Sequence, residues 1–338
     1  MARRVAYSLL MSAMLLTGCS GNEASTDPNG GHRPLPAPSV SVSRPPIPAV
    51  VHTDAVLPTV TGAVGRRADI TLPKANPSGK FVINTLMKGH GRTAKENDVV
   101  VVHYTAKSWK SGKSLPGTYD NAGAPKVFSV GRGAVIPALD RAVQGQRVGS
   151  RVLVVAPPKA AYGTTGNPGL GVSATDTVVF VVDVAKVIAA DSVVTGRQRP
   201  VPENLPQVQV GRPAVTIAVP DTAPPKSLVS RTLIDGSGAT VKAGQAVVLQ
   251  YSLAVWKANR GKDEAELFDS TVSQRGPASV VIGRGNVLEG WDKGLVGTTV
   301  GSRVLLVVPP DLGYGTQALK GIPADSTLVF VFDVLAAA

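Results

Sequence analysis

The sequence predicts an α+β chain made of two copies of one unit, each an antiparallel β-sheet wrapped around one short α-helix. Three observations lead there. The stretch Val-Gly-Ser-Arg-Val-Leu occurs at 148–153 and again at 300–305, each time followed by a Pro-Pro pair and Tyr-Gly ("PPKAAYG" at 157–163, "PPDLGYG" at 309–315). Val-rich runs that end in turn residues recur in both halves. Each half also offers a single short helical candidate, which cannot cover both faces of a sheet.

Taken in chain order, residues 1–18 carry Arg3 and Arg4 and then an apolar run too brief to span a bilayer, the pattern of a signal peptide. It ends in Leu16-Thr17-Gly18-Cys19, which resembles a bacterial lipobox. Cys19 is the only cysteine of the 338 residues, and lipidation would remove an otherwise stray thiol. Residues 19–63 are rich in Pro, Ser and Gly and read as a tether. The first unit spans 64–188, a Pro-bearing linker 189–209, and the second unit 210–338, each unit a common single-domain size.

In the first unit "VVVVHYTAK" (99–107), "RVLVVAP" (151–157) and "VVFVVDVAKVI" (178–188) read as strands. "IPALDRAVQG" (136–145) reads as the helix, with Pro137 in its first turn and Gly145 past its end. The second unit repeats the order. Tyr104 and Trp109 return as Tyr251 and Trp256, Asp120 as Asp269, Gly131-Arg132-Gly133 as Gly283-Arg284-Gly285, and "TVVFVVDV" as "TLVFVFDV". Offsets that drift by a few residues are what loop insertions leave behind.

Composition narrows the chemistry. His32, His52, His90 and His103 are scattered, so no metal cluster is expected. Gly131-x-Gly133 and Gly283-x-Gly285 lack a third glycine and read as turns. No nucleophile elbow or phosphate loop occurs, and Asp120 and Asp269 are single carboxylates. Neither a cofactor nor a nucleic-acid partner is expected. The basicity sits in 64–188, with 17 Lys and Arg against 7 Asp and Glu, net +10, whereas 210–338 carries 12 against 11, net +1. That charge reads either as a solvated basic face or as a surface for anionic membrane or wall polymers.

Both units resemble the FKBP-type peptidyl-prolyl isomerases almost end to end. In the second unit the resemblance rests on "VVLQYSLAVW", "LFDST", "VIGRGNVLEGW", "VGSRVLLVVPPDLGYG" and "GIPADSTLVFVFDV". It implies a proline pocket of Tyr251, Phe268, Asp269, Val287, Leu288, Trp291, Tyr314, Ile322 and Phe330, the candidate catalytic set. The matching substrate-binding positions of the first unit are Tyr104, Tyr119, Asp120, Val135, Ile136, Leu139, Tyr162, Val172 and Phe180. The implied activity is cis–trans isomerisation of X-Pro bonds in exported proteins, at the outer face of a membrane held through lipid on Cys19. The implied partners are proline-containing unfolded chains and macrolides such as tacrolimus and rapamycin. A binding module that grips proline segments without turnover, as a chaperone or scaffold, uses the same residues and stays open. The chain departs from the family pattern at Leu139 (usually Trp), Tyr119 (usually Phe), Ala278 (usually an aromatic rim residue) and the loop 316–321. Trp109 and Trp256 are assigned to structure.

Overall fold

The computed structural model describes residues 46–338 apart from 121–123, 210–214 and 275, with no side-chain account of 273 and 274. The expected signal peptide, Cys19 and most of the expected tether lie outside these residues. The first domain contains β1 (Val50–Val51), β2 (Thr59–Thr61), β3 (Asp69–Thr71), β4 (Phe81–Met87), β5 (Val99–Ser108), β6 (Ser114–Leu115), β7 (Lys126–Ser129), α1 (Pro137–Val143), β8 (Arg151–Ala156) and β9 (Val178–Ile188). Its main sheet runs β1-β4-β8-β9-β5-β6, with β7 also paired to β5. The β1–β4 pair is parallel and the others are antiparallel.

Period-two alternation decides the faces. Val100, Val102 and Ala106 of β5, Val152 and Val154 of β8, and Phe180 and Val182 of β9 point to one side and bury Ala138, Leu139, Ala142 and Val143 of α1. Pro137 opens the helix and Gly145, with φ of 73°, lets the chain leave it, as the sequence predicts.

The second domain follows the same plan with β10 (Gln207–Gln209), β11 (Thr216–Ala218), β12 (Val229–Ile234), β13 (Ala246–Val255), α2 (Trp256–Asn259), β14 (Leu267–Ser270), α3 (Thr271–Gln274), β15 (Ala278–Val281), α4 (Glu289–Leu295), β16 (Arg303–Val308) and β17 (Leu328–Ala337). Its sheet runs β12-β16-β17-β13-β14 with β15 beside β13. Gly290 and Gly294 let α4 lie close to the sheet, because a Cβ there would meet Val308 at 2.5 Å and Leu306 at 2.2 Å. In the first domain the same four positions are Ala138, Ala142, Ala156 and Val154. Bulk moves from helix to strand, and the layer spacing is kept.

The back of each sheet is covered by a hairpin that sequence analysis did not anticipate. β1 and β2 lie within the stretch expected to be tether, where Val60 pairs with Ile70 and both pack under Leu153, Val179 and Val181. β10 begins within the expected linker, and Val208 and Ile217 cover Leu305, Val307, Val329 and Val331 in the same way. A sheet apolar on both faces needs a second cover, and the preceding chain supplies it. Trp109 and Trp256 belong to this back layer, their indoles donating to Ala75 O and Thr222 O.

Nor is the linker a free spacer. Val99, Val101 and Ile188 pack with Val248 and Ala336 in one apolar seam, and Gln250 donates to Ala190 O at 2.9 Å. Residues Pro45–Ala338 form one compact unit.

Candidate functional site

In the second domain, Trp291 projects from the first turn of α4 into a ring of aromatics. It meets Tyr251 at 5.4 Å, Phe330 at 5.2 Å and Phe332 at 4.8 Å, all edge-on. Phe330 and Phe332 alternate along β17 and so share a face, stacked at 5.4 Å. Val287, Leu288, Tyr314 and Ile322 pack on the same cluster. Phe268 is 41% exposed at the mouth, its ring lying so close over Gly321 that a Cβ there would sit 2.7 Å from it. Asp269 accepts the Tyr251 hydroxyl at 2.5 Å. Of the nine positions expected for this domain, Tyr251, Val287, Leu288, Trp291, Tyr314, Ile322 and Phe330 share this one cluster, with Asp269 bonded to Tyr251 and Phe268 lying over Gly321. Phe332 belongs with them and was not foreseen, although its spacing of two from Phe330 was the available signal.

The polar equipment is sparse. Burial, then the charge of Asp269, pushes the Tyr314 hydroxyl above its ordinary value, so it stays protonated, and no protein acceptor among the described residues takes it. Leu288 caps α4, its carbonyl accepting from Trp291 and Asp292. The Trp291 indole N–H is buried without a partner. Asp292 of α4 clamps the Gly283-Arg284-Gly285 segment by accepting from Gly283 N at 2.6 Å and Gly285 N at 2.7 Å. That segment is a bend between β15 and α4.

The first domain assembles a reduced version. Tyr104, Val135, Ile136, Leu139, Tyr162, Val172 and Phe180 share its core cluster, with Tyr104 edge-on to Phe180 at 6.0 Å. Burial, followed by the charge of Tyr104, raises Tyr162 above the ordinary tyrosine range. Two expected residues behave differently.

Tyr119 is not a pocket wall. Its ring stacks on His103 at 4.9 Å and its hydroxyl donates to Asp183 at 2.5 Å, and both partners alternate with pocket-side residues onto the opposite face of the sheet. A hydroxyl in the apolar pocket would lack an acceptor, whereas the back face offers a carboxylate. Asp120 stays near enough for its charge to act on Tyr104, after burial, but it accepts from Arg67 at 2.5 Å and Gly117 N at 2.8 Å, not from the tyrosine. The strand registers also show that Ala278, opposite Leu249, matches Lys126, opposite Val102, so neither rim carries an aromatic at that position.

An apolar cluster with tyrosine hydroxyls at its edge, aromatic in the second domain and reduced in the first, agrees with the comparison to known proteins. A model of the FKBP-type peptidyl-prolyl cis-trans isomerase family matches residues 90–185 and again 238–335. The chain belongs to this family. It is 40% identical over 112 residues to FK506-binding protein 1 of Aspergillus oryzae, which covers 32% of this chain and 96% of that protein. Similarity to peptidyl-prolyl cis-trans isomerase FKBP9 of Rattus norvegicus runs through both domains, 28% over 248 residues, 72% of this chain and 35% of the rat protein. FK506-binding protein 4 of Chaetomium thermophilum is 43% identical over 100 residues, 30% of this chain and 19% of that protein. The chain thus spans about a fifth of one of these longer relatives and about a third of the other. As FKBP domains the two are unequal, one with Trp291 among aromatic rings and one with a Leu floor and its Tyr119 turned away.

Proposed function

We propose that this chain is a peptidyl-prolyl cis–trans isomerase whose main catalytic site is the pocket of the second domain. The observation that carries the reading is the joining of Trp291, Tyr251, Phe330, Ile322 and Tyr314 around one cavity wall, with the Tyr314 hydroxyl free to bond a substrate carbonyl. Rotation about an X-Pro bond must break amide resonance, a barrier of ~18–20 kcal/mol. The twisted amide has lost much of its charge separation, so an apolar aromatic cage favours it relative to water. Lowering the barrier by about 4 kcal/mol gives roughly a thousandfold. The Tyr314 hydroxyl and the Leu288 N–H would hold the carbonyl while the proline ring rests on Trp291. They bind and orient, and no proton moves.

For the first domain the Tyr119 placement and the Leu139 floor favour a second role, grip of proline segments with little turnover. Proline-containing exported proteins are the proposed clients and macrolides of the tacrolimus and rapamycin class the proposed small ligands. The sequence Leu16-Thr17-Gly18-Cys19 supports lipid anchoring at the outer face of the cell membrane, where two acyl chains suffice. The deciding experiment is a protease-free isomerisation assay on a proline tetrapeptide with the full chain. Absence of acceleration would overturn the catalytic reading, and undiminished membrane fractionation of Cys19→Ala would overturn the anchor.

A further inference from the structure

The two domains differ at one place on their surfaces that has nothing to do with the pockets. β4 ends in a bulge at Leu86, before Met87 pairs with Arg151, and β12 ends in the same bulge at Leu233, before Ile234 pairs with Arg303. In the second domain these residues are buried, Leu233 at 1% and Ile234 at 3%. The linker covers them: Arg199 N donates to Leu233 O at 2.7 Å, Arg199 pairs with Asp235 at 2.7 Å, and Gly196 lies so close that a Cβ would meet Ile234 at 2.7 Å. In the first domain Leu86 is 41% and Met87 55% exposed.

Their surroundings are basic. Lys88 follows Met87 directly and Arg92 five residues later, and the turn carrying Arg147 lies against residues 91–93. Thr93 bridges Arg147, the Arg147 guanidinium donates to Gly91 O at 3.3 Å, and Gln146 donates to the Thr85 hydroxyl at 2.9 Å. The second domain has Asp235, Ala239 and Thr299 where these three cations stand. Among the acids nearby, Asp98 pairs with Arg92, which leaves Lys88 and Arg147 without an ion pair among the described residues. Asp98 is buried, 3.8 Å from Arg92, and the Glu96 side chain lies by Gly131.

We propose that the first domain docks on an anionic lipid surface through Leu86, Met87, Lys88, Arg92 and Arg147. Two adjacent large apolar side chains followed by a cation-bearing turn are the chemistry of shallow insertion among acidic headgroups, where the chains enter the interface and the cations meet the phosphates. The near-neutral second domain, with the same strand end sealed by its own linker, lacks both halves of this device. The inference does not depend on isomerase activity or on lipid at Cys19.

The test uses the full chain with Cys19→Ala, which removes the only cysteine, and Met87→Cys carrying an environment-sensitive fluorophore. A matched label at Val296→Cys, 39% exposed in the second domain, is the control. Vesicles containing phosphatidylglycerol should shift the Met87→Cys emission to the blue, and pure phosphatidylcholine vesicles should not. The shift should reverse as salt rises from 0.1 to 1 M and the Debye length falls from ~10 to ~3 Å. The Val296→Cys label should stay silent. Changing Lys88 and Arg147 together to Gln, with Arg92 kept because it pairs with the buried Asp98, should weaken this response by roughly thirtyfold in lipid concentration, with thermal unfolding followed in parallel. The proposal is overturned by an unmoved label on bound protein, by an equal shift with phosphatidylcholine or with soluble polyglutamate, or by a blue-shifted emission without vesicles, which would mean that another copy or the chain's own segment covers the patch.

Discussion

Replacing Trp291 with Leu tests the unequal-pocket reading most directly, because it gives the second domain the floor that the first domain already has. Trp291 is 9% exposed and touches three aromatic rings between 4.8 and 5.4 Å. The substitution leaves an apolar side chain but removes a flat surface from under the proline ring. Losing that contact in the twisted state should cost about 1–2 kcal/mol, close to a tenfold drop in kcat/KM. Stability should fall as well, by roughly 2–3 kcal/mol, as a smaller side chain leaves part of the ring of aromatics without partners. The two effects separate cleanly if rates on a proline tetrapeptide are measured well below the unfolding temperature and folding is followed in parallel by circular dichroism. The companion variant is Leu139→Ala in the same full chain, expected to lower kcat/KM less than twofold because the first pocket contributes little turnover. If Trp291→Leu stays within twofold of the parent, or if Leu139→Ala removes most of the activity, the assignment of the main site to the second domain is wrong.

Tyr314→Phe should leave stability within about 0.5 kcal/mol, since the hydroxyl has no protein partner among the described residues, yet lower kcat/KM several-fold. Gly294→Ala should destabilise by about 1–3 kcal/mol through its clash with Leu306, and Leu306→Val in the same chain should restore much of it, a coupling visible in a denaturant double-mutant cycle. Asp333→Asn should cost about 3–5 kcal/mol by stranding the buried Arg303 guanidinium, and a loss under 1 kcal/mol would show that water reaches the pair. Tyr104, Tyr119, Tyr162 and Tyr314 are all held above the ordinary value of 10.0, chiefly by burial. Their raised folded values mean that the unfolded chain ionises first, so their contribution is intact below about pH 10 and is lost as pH rises further toward the folded values. A denaturation midpoint that begins to fall at pH 8 from tyrosine ionisation would contradict this.

Much of the fold was legible because the chain states it twice. Alternating valines fix the sheet faces, and Pro137 and Gly145 bracket the helix as they stand in the structure. The back-face hairpins were not legible, since three-residue strands in Pro-rich chain carry no period of their own and form only where a sheet needs cover. Most positions expected for the second pocket share one cluster because they are apolar or aromatic residues whose best partners are each other. Tyr119 did not, because one hydroxyl moved it to the other face, and the carboxylate that attracts it lies 64 residues away. Exposure of Leu86 against burial of Leu233 was equally invisible, because it depends on where a linker runs.

The most faithfully repeated stretch of the chain is not in either pocket, and the structure gives a role to each residue in it. Val148 and Val300 accept from Gly91 N and Gly238 N through their carbonyls. Gly149 and Gly301 have φ of 90° and 92° and donate to Val184 O and Val334 O. Ser150 and Ser302 accept from Gly89 N and Gly236 N, both at 2.9 Å, where a Cβ would collide with backbone at 2.1 and 2.3 Å. Arg151 and Arg303 form buried pairs with Asp183 and Asp333 and reach back to the preceding chain at Gly62 and Arg66 or at Val194. A positive φ, a backbone contact without room for a methyl and a buried ion pair each tolerate almost no substitute, because a partial version leaves strain or an unpaired charge. On the proposed function, pocket positions face a ligand that comes and goes, and a change there alters affinity without unmaking the sheet. The two copies therefore agree at the joint that holds the sheet to the chain before it, and differ at Trp291 and Leu139, Phe268 and Tyr119, and Ala278 and Lys126. The repeat keeps the frame and lets the residues of the two apolar clusters differ.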